Sequence, residues 1–211
     1  MKKNISKIFL VLLPILCSLC FISLASNIYA HSITLKATNN DIVVIYDTDD
    51  TIALQYQSFL TANSYDVDLI PINDIPTTSF LNYDLIIIDP LSGAFSSWGN
   101  TTSVNAIKSA NKPIIGLSTG GYGFFGELGL FIGYPNGATG SGDSLYIPVT
   151  PLSLYQNPNS FSNGTVQLYT TSTTIRSIFN ASAHENVTVL ATESEGSLYS
   201  PLIQEGNDYI L

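Results

Sequence analysis

Three short runs of apolar, mostly β-branched residues constrain this chain more than anything else in it. They fall at residues 41–46 (DIVVIY), 85–89 (LIIID) and 113–117 (PIIGL). A strand with one solvated face alternates polar and apolar residues, whereas these runs do not, so each predicts a strand covered on both faces. The intervals carry a different period. At 51–62, Ile52, Ala53, Tyr56, Phe59 and Leu60 recur at steps of three and four, which predicts an amphipathic helix. A strand at 67–72 (VDLIPI) is weakened by Pro71 and belongs near a sheet edge. Short helices are expected at 103–110 and 122–128. Strands alternating with helices at this spacing predict a doubly wound, mainly parallel α/β sheet with helices on both faces. Ligands in such a fold bind beyond the carboxyl ends of the strands. Asp47-Thr48-Asp49-Asp50, Asp89 and Ser118-Thr119-Gly120-Gly121 then share one rim.

The second half has a different character. Residues 133–144 (GYPNGATGSGDS) read as a glycine-rich loop, and 145–149, 166–169 and 174–179 are short strand candidates. Sheet-like runs return at 187–191 and at 198–203, the latter interrupted by Pro201, and 209–211 begins another strand. An irregular region of loops and short strands with an antiparallel edge is expected here.

Composition narrows the chemistry. The 211 residues are 45% hydrophobic and 11% charged, enough apolar content for a real core and too little charge for a disordered chain. Lys2, Lys3 and Lys7 precede an apolar run at 9–24, the layout of a secretory signal peptide or, if uncleaved, an N-terminal anchor. The expected organisation is a signal segment at 1–30, a polar linker at 31–40 and an α/β domain at 41–211. This places the domain outside the cytoplasm, secreted or at the cell surface. Both cysteines, Cys17 and Cys20, lie in the signal segment. The remainder holds Lys36, Lys108, Lys112 and Arg176 against all 16 carboxylates. A cysteine nucleophile, a disulfide framework and a thiolate metal site are thereby excluded from the mature domain. So is a nucleic-acid interface, which needs a basic stripe. Membrane contact is expected only through the N-terminal segment. Secretion gives meaning to four Asn-x-Ser/Thr acceptor sites, at Asn100, Asn163, Asn180 and Asn186.

Gly116-Leu117-Ser118-Thr119-Gly120 fits G-x-S-x-G after a buried strand and before a helix, the context of a nucleophile elbow. Two readings stand side by side. Ser118 caps a tightly packed helix, or it is a nucleophile with the Thr119 and Gly120 amides as oxyanion donors. The second requires a base. His31 lies in the linker, and His184 precedes the strand at 187–191, at that strand's amino end and away from Ser118 unless the strand runs antiparallel. Arg176 is expected to pair with a carboxylate. Asp47-Thr48-Asp49-Asp50-Thr51 also matches the D-x-D-x-T signature of magnesium-dependent phosphatases, and these aspartates with Asp89 resemble a receiver-domain rim. Neither reading finds its lysine at a later strand end. The same aspartates could offer oxygen ligands to calcium, though no calcium-loop pattern is present. Tyr122, Phe124, Phe125, Tyr134 and Tyr146 line a binding groove or, more simply, fill the core.

Residues 112–122 (KPIIGLSTGGY), followed by 124–130 (FFGELGL), resemble the elbow of the class I glutamine amidotransferase-like superfamily. Residues 189–191 and 206–211 resemble its C-terminal strands. The resemblance implies a flavodoxin-like fold over most of 41–211. It also implies that Ser118 stands where catalytic members carry a cysteine, and that their catalytic histidine would follow the strand at 209–211. Glutaminase activity and a cofactor are therefore not expected. The expectation is a non-catalytic binding or structural module with an unidentified small-molecule, glycan or protein ligand. The alternative is a serine-dependent hydrolase using Ser118 and His184.

Overall fold

A computed structural model describes residues 42–92, 98, 101–148, 155 and 161–211. The signal segment, the linker and Asn100 lie outside the described residues. The apolar runs become the centre of a seven-stranded sheet: β1 (Ile42–Tyr46), β3 (Leu85–Ile88) and β4 (Ile114–Gly116). Beside β1 lies β2 (Val67–Pro71), an edge strand, as Pro71 requires. On the other side of β4 come β12 (Tyr209–Ile210), β11 (Leu202–Glu205) and β9 (Val187–Ala191), giving the order β2-β1-β3-β4-β12-β11-β9. The first five run parallel, and β11 is antiparallel to both its neighbours.

Both faces of the sheet are buried because successive side chains leave a strand on opposite sides. Val43, Ile45, Ile86, Ile88 and Ile114 enter one core. It is closed by helix α2 (Thr101–Ser109), through Val104 and Ile107, and by helix α3 (Ser118–Glu127), through Phe124 and Phe125. Ile42, Val44, Leu85, Ile87 and Ile115 enter the other, against Ala53, Tyr56 and Leu60 of helix α1 (Thr51–Ala62). The result is a mainly parallel, doubly wound α/β sandwich.

Two expectations need correction, and the break at Pro201 takes a definite form. The glycine-rich segment is not all loop, because β5 (Gly137–Gly142) pairs antiparallel with β8 (Thr173–Phe179) over six residues. Glycine suits that strand because its neighbours crowd it. A Cβ on Gly137 would lie 2.5 Å from the Tyr122 ring, and one on Gly140 would lie 2.8 Å from the Glu193 carboxylate. Residues 198–203 are two strands, with β10 (Tyr199–Ser200) added to β8 and β11 joining the main sheet beyond Pro201. Finally, α3 starts at Ser118, four residues before the apolar period that signalled it. The remaining pair is β6 (Ser144–Ile147) with β7 (Gly164–Gln167).

Candidate functional site at the carboxyl rim

The elbow forms where β4 turns directly into α3. Leu117 donates its N–H to the Ile88 carbonyl at 3.0 Å, which ties the turn to β3. Ser118 follows at φ 50, a left-handed conformation that costs a non-glycine residue about 1–2 kcal/mol. Its side chain is exposed at the helix N-terminus. Gly116 and Gly121 are pressed together, and a Cβ on Gly121 would lie 2.2 Å from the Gly116 carbonyl carbon. A Cβ on Gly120 would lie 2.2 Å from the Asp89 carbonyl oxygen. The glycines therefore let helix and strand approach to backbone contact, and this lifts Ser118 onto the rim.

The proposed oxyanion donors are only partly available. Gly120 gives its N–H to the Pro90 carbonyl at 3.1 Å, and Gly121 gives its own to Leu117. Among the described residues no acceptor meets the Thr119 N–H. Of the two donors that the sequence suggested, the Thr119 amide is the one left free among the described residues.

His184 does not join the elbow. Strand β9 is antiparallel to β11, which is antiparallel to β12, and β12 is parallel to β4. β9 and β4 therefore point the same way, and His184, which precedes β9, lies at the rim opposite Ser118. Its contact agrees with this. The imidazole stacks on Phe131, just past the far end of α3, with ring centroids 3.3 Å apart.

Asp89 is the unusual group on the rim. It follows β3 and is fully buried, and the strand alternation continues its side chain onto the α1 face. Its Oδ1 accepts the Leu91 N–H at 2.7 Å, while Oδ2 is buried without a partner among the described residues. Burial pushes its pKa up to about 6, against the Leu91 hydrogen bond, and the charge of Asp49 adds to the rise. Tyr56 of α1 feels the same place: burial raises its pKa, and the charge of Asp89 and then Tyr169 reinforce the shift. The sequence offers no sign that either tyrosine lies close to Asp89. Tyr56 was legible only as part of the apolar face of α1, and Tyr169 follows β7 in a polar stretch.

The other aspartates are not gathered into a site. Asp49 is exposed, and its Oδ1 accepts the Thr51 N–H at 2.9 Å at the start of α1. The Thr51 hydroxyl and amide hold its pKa below the usual value. Asp47 is half-buried at the end of β1. Among the described residues no set of three His, Cys, Asp or Glu side chains could hold a metal ion. Among the described residues Arg176 meets a ring instead of a carboxylate, its guanidinium lying 4.7 Å from the Tyr122 centroid. Tyr122, Phe124 and Phe125 are buried, Tyr134 is exposed with its ring edge-on to Tyr122, and the half-buried Tyr146 donates its hydroxyl to Glu195. Asn163, Asn180 and Asn186 are exposed.

No protein-family model matches the chain, and no curated protein matches its sequence. Its fold, however, is similar to solved structures. A putative GMP synthase component from Thermoplasma acidophilum superposes with a TM-score of 0.53 at 11% identity, over 82% of this chain and 83% of that one. A glutamine amidotransferase from Methylobacillus flagellatus gives 0.51 at 8% identity, over 82% of this chain and 68% of that one. At such identities the likeness is one of architecture alone. This chain has the fold of the class I glutamine amidotransferases.

Proposed function

We propose that this protein is an extracytoplasmic module of amidotransferase fold whose elbow rim binds a ligand and does not transfer an acyl group. One observation carries the reading. Ser118 sits on a well-formed elbow, yet the only histidine among the described residues lies at the opposite end of the sheet. A serine hydroxyl is a weak nucleophile without a base in hydrogen-bond reach. The commitment of the Gly120 amide to Pro90 points the same way, since it removes a donor from the place where charge would develop. The signal-like layout of residues 1–30 supports the location outside the cytoplasm.

The alternative, a serine-dependent hydrolase, is favoured by the left-handed backbone and the exposure of Ser118. Labelling with a serine-directed fluorophosphonate separates the two. Under the binding reading the native protein and Ser118→Ala take up the same small amount of label. Labelling that disappears in Ser118→Ala would replace this reading with the hydrolase. Amino-terminal sequencing of the chain recovered from the cell exterior tests location, with a mature start at Ser26 or His31 as the expected result.

A further inference from the structure

We propose that Asn180 carries an N-linked glycan whose first sugar rests on the exposed Phe179–Tyr199 ring pair. The inference rests on the extracytoplasmic reading above and adds to it a modification site with its own platform. Three large apolar side chains lie exposed together at one corner of the molecule: Phe179 at 49%, Tyr199 at 38% and Leu198 at 52%. Scattered exposed apolar residues are ordinary, but a contiguous group marks a surface that something covers. The two rings are contiguous by construction. Tyr199 and Phe179 are cross-strand partners in the β10–β8 pair, with ring centroids 5.2 Å apart. The Leu198 carbonyl accepts the Asn180 N–H at 2.8 Å.

The acceptor tripeptide Asn180-Ala181-Ser182 begins at the next residue. Asn180 ends the strand in a left-handed conformation, φ 53 and ψ 37, which asparagine tolerates better than other side chains. Asn180 and Ser182 are both exposed, and the Asn180 side chain makes no capping hydrogen bond. Adjacent Cα atoms are about 3.8 Å apart, and the alternation that would send neighbouring side chains to opposite faces ends with β8 at Phe179, so a sugar on the Asn180 amide can reach the Phe179 ring. The C–H face of a pyranose packs on aromatic rings, and this would remove apolar surface from water. Asn186 is exposed as well, but it stands between the exposed Glu185 and the half-buried Val187 and has no such platform.

The modification itself is a substitution without electron transfer. The Asn180 amide nitrogen bonds the anomeric carbon of a lipid-pyrophosphate-linked oligosaccharide. The bond from that carbon to the pyrophosphate oxygen breaks, the lipid pyrophosphate leaves, and the amide gives up one proton.

The test uses the full chain expressed in a glycosylating host, once with its own residues 1–30 and once with an unrelated cleaved leader. Glycopeptide mass spectrometry of the chain exported by the unrelated leader should find Asn180 occupied, and Ser182→Ala should abolish that occupancy. Enzymatic removal of the glycan should lower Tm by about 2 °C, a shift of the size expected for a chain of this length. In Phe179→Ala the occupancy should persist while the glycan-dependent shift vanishes. An unmodified Asn180 in the exported chain overturns the proposal, and so does a glycan whose removal leaves Tm unchanged. A Phe179-dependent dimer of the unmodified chain would assign the patch to a second copy and overturn it too. Export by the unrelated leader but not by residues 1–30 would count against the extracytoplasmic reading alone.

Discussion

Two residues at the rim are held in states that a free chain would not choose. Ser118 occupies a left-handed conformation, and among the described residues its side chain makes no hydrogen bond that would compensate it. Ser118→Gly should therefore stabilise the fold by about 1 kcal/mol, read as a higher urea midpoint at unchanged slope. An unchanged midpoint would mean that the strain is offset elsewhere in the turn. Asp89 carries its cost in solvation. Its folded pKa of about 6 lies above the ordinary aspartate value of 3.8, so the native state holds this proton more tightly than the unfolded chain does. The stability linked to it is complete below the unfolded value and is lost as pH rises through about 6. Asp89→Asn cannot ionise, so it should gain on the native protein as pH is raised from about 4 to 7, by roughly 1–3 kcal/mol. Urea titrations of both proteins at several pH values check this, and parallel pH profiles would refute it. Ser118 was legible in the sequence because a short motif marks it. The state of Asp89 was not, because desolvation depends on what packs over a group and its neighbours in the chain do not record that.

At the scale of elements, the elbow depends on glycine for space. A Cβ at position 121 would meet the Gly116 backbone at 2.2 Å, and backbone cannot move aside by changing rotamer. Gly121→Ala should therefore push α3 off the sheet and cost roughly 3 kcal/mol or more. Gly129, at φ 72, has nothing within 4 Å of its would-be Cβ. Gly129→Ala should then cost only about 1 kcal/mol, from backbone conformation alone. Thermal melts of the two variants compare steric with conformational loss, and equal losses would contradict the close approach. The first half of the chain was readable at this scale because its signals are local. The apolar period of 51–62 matches α1 (Thr51–Ala62), and Pro71 marked an edge strand. β5 is not legible as a strand because glycine in sequence signals a loop, whereas here it lets the Tyr122 ring and the Glu193 carboxylate pack against the strand.

At the scale of the molecule, the seven strands of the central sheet and both apolar cores found among the described residues lie within residues 42–211. A chain that begins at residue 41 should consequently fold on its own, with Tm within about 2 °C of the exported protein. A collapse of Tm, or a molten near-ultraviolet spectrum, would assign the earlier residues a structural role. The sequence by itself determined the parallel α/β class, the strands buried on both faces and the turn that carries Ser118. Those properties follow from side-chain periodicity and from the few conformations open to glycine and proline, which are set within a few residues. Only the tertiary structure decided what the turn can use. Strand direction put His184 at the far rim, the Pro90 carbonyl claimed the Gly120 amide, and packing stranded one oxygen of Asp89. Each of these depends on groups far apart in the chain, brought together by burial that no local pattern encodes.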